Sequence, residues 1–140
     1  MKKPFNEELY KSDDNAKNVI GKWLATRWGF NNVRVNPDRY GIDLLADKDG
    51  ASFGIEVEVK HNWSGSRFPF NSVHYAARKV KFLDSADTVY FCTLNEERTH
   101  VLMLSSDHMD GVKLVRKETI YTSSEWFIHA AIDKCFIYEL

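Results

Sequence analysis

The sequence predicts an α/β (α+β) domain, a central β-sheet flanked by helices, on three observations. Ala16, Val19, Ile20, Trp23, Leu24 and Trp28 recur at the i, i+3, i+4, i+7 spacing that lines one face of an α-helix. In Ile55-Glu56-Val57-Glu58-Val59-Lys60, apolar and charged residues alternate strictly, the two-residue period of a half-buried strand. Two later apolar runs, 88–94 and 99–104, flank the turn-like Asn95-Glu96-Glu97-Arg98 as the arms of a hairpin would. A chain of 140 residues, 44% hydrophobic and carrying 9 Phe, 6 Tyr and 4 Trp, reads as one domain, 1–140. At that length it buries about two-thirds of the surface its unfolded chain exposes.

The elements follow in order. Residues 1–11 read as an N-terminal arm. Ser12 and Asp13 are N-cap types, which places the start of the first helix there, and Gly29 stops it just beyond Trp28. Asn32–Val35 is the first strand, and Asn36-Pro37-Asp38 a turn. Two strands then surround Asp47-Lys48-Asp49-Gly50, in which Asp-Gly signals a tight hairpin. Asn71–Leu83 predicts a second helix, with Val73, Ala76, Ala77, Val80 and Leu83 as its apolar face and His74, Arg78 and Lys81 together on another. Beyond the 88–104 hairpin, short strands are expected at 112–115, 120–122, 125–129 and 136–138.

Net charge is −1, so no global field draws the chain to nucleic acid, and any binding face must come from local asymmetry. The window 60–83 supplies it: Lys60, Arg67, Arg78, Lys79 and Lys81 are five cations among no Asp or Glu, and His74 adds charge at lower pH. These residues form either a phosphate-contacting face or a solvated one. Trp63, Phe68 and Tyr75 are aromatics that stack on unpaired bases or pack in the core. Cys92 and Cys135 lie in strand-like apolar runs without metal-ligand spacing and are expected as reduced, buried thiols. His108 and His129 have no partners at metal or triad spacing. No apolar run follows Lys2 and Lys3, and no stretch nears the roughly twenty apolar residues that cross a bilayer. A cytoplasmic protein with no membrane partner is the expectation.

The chemistry concentrates between Tyr40 and His61. Asp43 opens one strand of the hairpin, while Glu56, Glu58 and Lys60 share a face of the other. Paired strands bring a carboxylate near two more and an ammonium, a cluster able to hold a divalent cation or simply to face water. Gly41-Ile42-Asp43 followed by Glu58-Val59-Lys60, with fourteen residues between the Asp and the Glu, resembles the PD-(D/E)XK nuclease superfamily. Asp43, Glu58 and Lys60 match its three positions, and Ile42 stands where the motif nominally has Pro. A literal Pro-Asp occurs earlier, at Pro37-Asp38, and is set aside because it lies in a turn. Trp28-Gly-Phe-Asn-Asn-Val-Arg-Val35 before Tyr40-Gly-Ile-Asp43 is similar to the Holliday-junction resolvase-like members. The resemblance covers roughly residues 13 to 95.

That resemblance implies a restriction-endonuclease-like core, a central mixed β-sheet in the order α-β-β-β-α-β. It implies a metal-dependent endonuclease that hydrolyses phosphodiester bonds in nucleic acid, DNA ahead of RNA, with selectivity for structure. Asp43, Glu58 and Lys60 are then catalytic, and Asp43, Glu58 and the Val59 carbonyl hold Mg2+ or Mn2+, hard ions that take oxygen ligands. Many members place a further Glu on the first helix; this chain has none between Glu8 and Glu56, leaving Asp14 and Glu56 as candidates for an additional acid. Arg67, His74, Arg78, Lys79 and Lys81 are the candidate nucleic-acid contacts, and a homodimer would allow two strands to be cut. The alternative is a non-catalytic nucleic-acid- or protein-binding module on the same fold.

Overall fold

The computed structural model describes residues 7–108, 113–117 and 125–140. A long helix, α1 (Glu7–Arg27), leads into β1 (Asn31–Val35), β2 (Leu44–Lys48) and β3 (Ala51–Val59). Next come β4 (Ser72–Ala76), a 3₁₀ segment (Ala77–Asp84), β5 (Thr88–Leu94) and β6 (His100–Ser105). Finally β7 (Lys113–Lys117), β8 (Glu125–Ala131) and β9 (Phe136–Glu139) complete the described chain. Six strands form one sheet in the order β1-β2-β3-β5-β6-β9, and three form another in the order β4-β8-β7. β3 and β5 run parallel while the other neighbours of the large sheet are antiparallel, so the sheet is mixed, as the sequence predicts. A parallel pair requires a long crossover; residues 60–87 provide it.

The expected apolar stripe of α1 packs on one face of this sheet. Ala16, Ile20, Trp23 and Leu24 are buried against Leu44, Ala46, Ile55, Cys92, Leu94 and Val101. Gly29 ends the helix at φ +72, a left-handed conformation that suits glycine, and the amides of Trp28 and Phe30 both donate to the Leu24 carbonyl (3.2 Å each). The start differs from expectation. The helix begins at Glu7, so residues 7–11 are not an arm and Ser12 and Asp13 lie inside it rather than capping it. Glu7 and Glu8 suit a first turn by charge, and nothing in Leu9-Tyr10-Lys11 breaks the helix. The hairpin of β2 and β3 turns at Asp49 and Gly50, both at positive φ, with Lys48 opposite Ala51. This is the two-residue primed turn that Asp-Gly favours.

The opposite face of the sheet is covered differently from expectation. Residues 72–76 are a strand, and only Ala77–Asp84 is helical, as a 3₁₀ segment, so 71–83 is not one α-helix. His74 therefore does not share a helical face with Arg78 and Lys81. Tertiary pairing decides it: Val73 and Tyr75 stand opposite Ala130 and Ile128 of β8, and all four are buried. They cover Val89, Phe91, Leu102 and Leu104 of the large sheet. The small sheet thus takes the flank where a second helix was expected. The expected strand at 120–122 lies outside the described residues.

Gly54 fixes the approach to β2. A Cβ there would lie 2.9 Å from Ile42 Cδ1 and 3.4 Å from Ser85 Oγ. Ile42, the residue before Asp43, is buried across β3 because position 54 has no side chain. Gly54→Val should cost about 1–3 kcal/mol by overpacking, a fall of roughly 5 °C in melting temperature. A melting temperature within about 1 °C of wild type would show that the Ile42 seat is not tightly packed.

A candidate acidic site at the head of the β2–β3 pair

Asp43 immediately precedes β2. A short loop places it: Asn36 Oδ1 accepts from the Asp38 amide (3.0 Å), Asp38 Oδ1 from the Tyr40 amide (3.0 Å), and the Asp43 carbonyl from the Asn36 amide (3.0 Å). Asp38 belongs to this turn, as expected for Pro37-Asp38. Asp43 Oδ2 accepts from the Val57 amide of β3 at 2.8 Å, and its Oδ1 lies 3.5 Å from the Lys17 ammonium of α1. Leu44 pairs with Ile55, so Asp43 falls beside Glu56.

Glu56 is only 6% exposed. Burial, then a hydrogen bond to Asp43 and repulsion from it, push its carboxyl up to about 9, so at neutral pH it is a carboxylic acid donating to Asp43. Lys79 Nζ, 4.0 Å from Glu56 Oε2, pulls the other way but does not prevail over burial. The closer partner of Lys79 is Glu58, with which it forms a direct ion pair. Lys79 is 12% exposed on its side chain. It projects from the 3₁₀ segment into the acids rather than toward solvent.

Glu58 stands opposite Thr93 of β5, whose Oγ1 is 2.6 Å from the Tyr75 hydroxyl. Burial, and then the charge of Glu58, keep Tyr75 well above its ordinary range and protonated. Lys60 follows β3, and its amide continues the ladder to the Leu94 carbonyl at 2.8 Å. Its ammonium lies 5.1 Å from the ring centroid of Phe70. Phe70 touches Phe68, a member of the core over Phe91, so Lys60 is on the sheet face that carries Glu56 and Glu58.

The structure thus brings Asp43, Glu56 and Glu58 into one chain of contacts through Lys79, with Lys60 alongside on Phe70. Asp14 is exposed on α1, three residues before Lys17, and it is Lys17 that meets Asp43. Lys17, Gly54 and Phe70 are the contributors that sequence reasoning missed, while Lys79, expected as a nucleic-acid contact, stands against Glu58 and Glu56. Among the described residues no three His, Cys, Asp or Glu side chains stand ready to hold a metal ion. Asp43 and Glu58 are the carboxylates in position to offer oxygens, each with a lysine beside it.

The remaining candidates separate. Arg67 and Lys81 are exposed, and Lys81 Nζ lies 5.2 Å from the Phe82 ring centroid. His74, on β4, has its Nε2 3.2 Å from Ser72 Oγ. The backbone of Arg78 lies one residue before Lys79 on the 3₁₀ segment. Trp63, Phe68 and Tyr75 are buried, which makes them core rather than base-stacking surface. Cys92 is a buried free thiol, while Cys135 is free and only half-buried. Burial raises both, Cys135 to about 11. No helix among the described residues is long and apolar enough to cross a membrane.

Fold and site define an α/β mixed-sheet protein with a half-buried acidic cluster where β2 meets β3. No protein-family model and no curated protein matches the sequence. Among solved structures it is similar to Hjc, a Holliday junction resolvase from Archaeoglobus fulgidus, with a TM-score of 0.46 and 14% identity over 81% of this chain and 84% of that one.

The proton on Glu56 has a thermodynamic signature. Its carboxyl titrates near 9 when folded and near the ordinary 4.5 when unfolded, so wild-type stability should fall as pH rises between those values. Glu56→Gln keeps an N–H donor for Asp43 and removes that loss. In a chelator, thermal melts should place the variant about 5 °C or more above wild type at pH 8. The gap should close as pH falls through 4.5, below which the wild-type acid is protonated in both states. A gap that does not change with pH would contradict a proton shared between Glu56 and Asp43.

Proposed function

We propose that this protein is a metal-dependent endonuclease that hydrolyses phosphodiester bonds in nucleic acid, with DNA, in branched or otherwise structured form, as its substrate. The observation that carries the reading is the convergence of Asp43 and Glu56 in one hydrogen-bonded pair, with Glu58 beside them and Lys60 on the same face of β3. Glu56 is buried, with Asp43 and Glu58 half-buried beside it, and holding three acids this close is costly to stability alone.

The donor set fits a hard divalent cation, because every candidate ligand is an oxygen and the crowding forces one acid to keep its proton. Asp43, Glu58 and the Val59 carbonyl are the proposed ligands, with Glu56 as the additional acid. Bound there, Mg2+ or Mn2+ supplies Lewis acidity toward the phosphate and makes water a stronger acid. Lys60 offers a positive charge to the phosphate oxygens as charge develops on them. Val57 N–H and Lys17 hold the Asp43 carboxylate in one orientation. Exposed Arg67 and Lys81 are proposed to contact the backbone phosphates, with His74 and Arg78 as further candidates, while Lys79 is committed to Glu58.

One observation favours the second reading, a binding module that does not cut. Lys17 and Lys79 already stand against Asp43 and Glu58, so the acids are partly neutralised without any metal. A panel of labelled duplex, nicked, flapped, branched and single-stranded DNA and RNA, with Mg2+, Mn2+ or chelator, separates the two. Metal-dependent cleavage should appear, and Asp43→Asn or Glu58→Gln should reduce it by roughly 10³-fold or more, while binding persists. Binding without cleavage under every metal condition would leave only the second reading.

Salt dependence tests the basic surface. The log affinity for duplex falls with log salt by about 0.9 per phosphate contact. Replacing Arg67 and Lys81 together by Ala should therefore shallow the slope by about two and weaken binding to all sequences alike. An unchanged slope would assign both residues to a solvated surface.

A further inference from the structure

Lys79 is the one described cation that the fold places between two of the acids. It leaves the 3₁₀ segment Ala77–Asp84, forms its ion pair with Glu58 and stands 4.0 Å from Glu56. A lysine whose side chain is 12% exposed has given up most of its hydration, and the carboxylates of Glu58 and Glu56 stand where that water would be. Lys60, which the β3 pattern brings to the same face, is instead parked over Phe70. The ammonium that pairs with Glu58 thus comes from the crossover, far from the motif in sequence.

We propose that Lys79 is a built-in counter-cation that competes with a divalent metal ion for Glu58 and thereby sets the metal affinity of the site. The proposal rests on the metal-binding reading above. A single carboxylate group cannot be fully committed to an ammonium and to a divalent ion at once, because each cation weakens the field that attracts the other. The contact therefore does two things: it stabilises the metal-free fold, and it raises the metal concentration needed to load the site. Coupling between two ligands for one site is reciprocal, so what Lys79 gains from Glu58 the metal must overcome.

The test is calorimetric titration of the full chain with Mn2+, with thermal melts in chelator and in saturating Mn2+, on wild type, Lys79→Met and Lys79→Arg. Lys79→Met keeps the stem that packs and removes the charge. It should bind Mn2+ tighter than wild type by roughly tenfold, and melt lower in chelator. Its gain in melting temperature on adding Mn2+ should exceed that of wild type. Lys79→Arg, which keeps the charge, should bind Mn2+ within a few-fold of wild type. If wild type binds Mn2+ and Lys79→Met binds it no tighter, the competition is overturned and Lys79 is only a structural ion pair. If neither protein binds Mn2+, the metal-site reading itself fails, and the proposal with it. Activity need not be measured, so the outcome does not depend on knowing the substrate.

Discussion

The arrangement depends on one constraint: two carboxyl groups, Asp43 and Glu56, held side by side where β2 meets β3. Asp43 is locked from its other side by the Val57 amide at 2.8 Å, so it cannot turn away from its neighbour. Glu56 is buried and cannot reach solvent. Two charges in that position repel in a poorly screened environment, and the protein settles the conflict by leaving a proton on Glu56 and bringing lysines to Asp43 and Glu58. Lys17, Lys79 and the Glu56 proton are three responses to the same crowding.

The surroundings serve to keep that pair in register. Gly54 lets Ile42 sink across β3, which anchors the residue before Asp43, and the Asn36–Asp38 turn fixes the chain just upstream. On the far side, buried Asn95 ties down the loop that follows Lys60. Its Nδ2 donates to the Gly65 carbonyl at 3.0 Å and to Thr99 Oγ1 at 2.9 Å, and its Oδ1 accepts the Thr99 and His100 amides at 2.8 and 3.1 Å. Glu97 completes the clamp by accepting from Ser64 Oγ and the Gly65 amide, both at 2.7 Å. Those hydrogen bonds, made first by the Gly65 amide and then by Ser64, hold Glu97 below the usual carboxylate range. The loop that bears Phe68 and Phe70, and hence the seat of the Lys60 ammonium, is held by a network of neutral and charged hydrogen bonds rather than by its own sequence.

What could be read from the sequence follows the range of the interactions. The α1 stripe, the Asp-Gly hairpin and the alternation in 55–60 are local patterns, and each produced the expected element. Segment 71–83 carried two periods at once. Val73 and Tyr75 alternate as a strand, while Val73, Ala76, Ala77, Val80 and Leu83 also fit a helix. Only pairing with β8, more than fifty residues later in sequence, decides between them. The same non-locality hid Lys79. Nothing in its neighbourhood distinguishes it from Lys81, yet one is half-buried against acids and the other is exposed. Trp63, Phe68 and Tyr75 could have been surface or core by type; they are core because the second sheet and the 61–71 loop fold onto Val89, Phe91, Leu102 and Leu104. Glu56 was legible as an acid on the right face, but its proton depends on depth of burial, which spacing does not reveal.

The central claim is that this crowded pair and Glu58 form a cation site. Anomalous diffraction from crystals soaked in Mn2+ tests it directly. A peak about 2.1 Å from carboxylate oxygens of Asp43 and Glu58, with Lys79 withdrawn from Glu58, is the predicted result. At saturating Mn2+, no peak there, with the Lys79–Glu58 ion pair intact, would contradict the account and leave the cluster a self-neutralised structural feature of the β2–β3 junction.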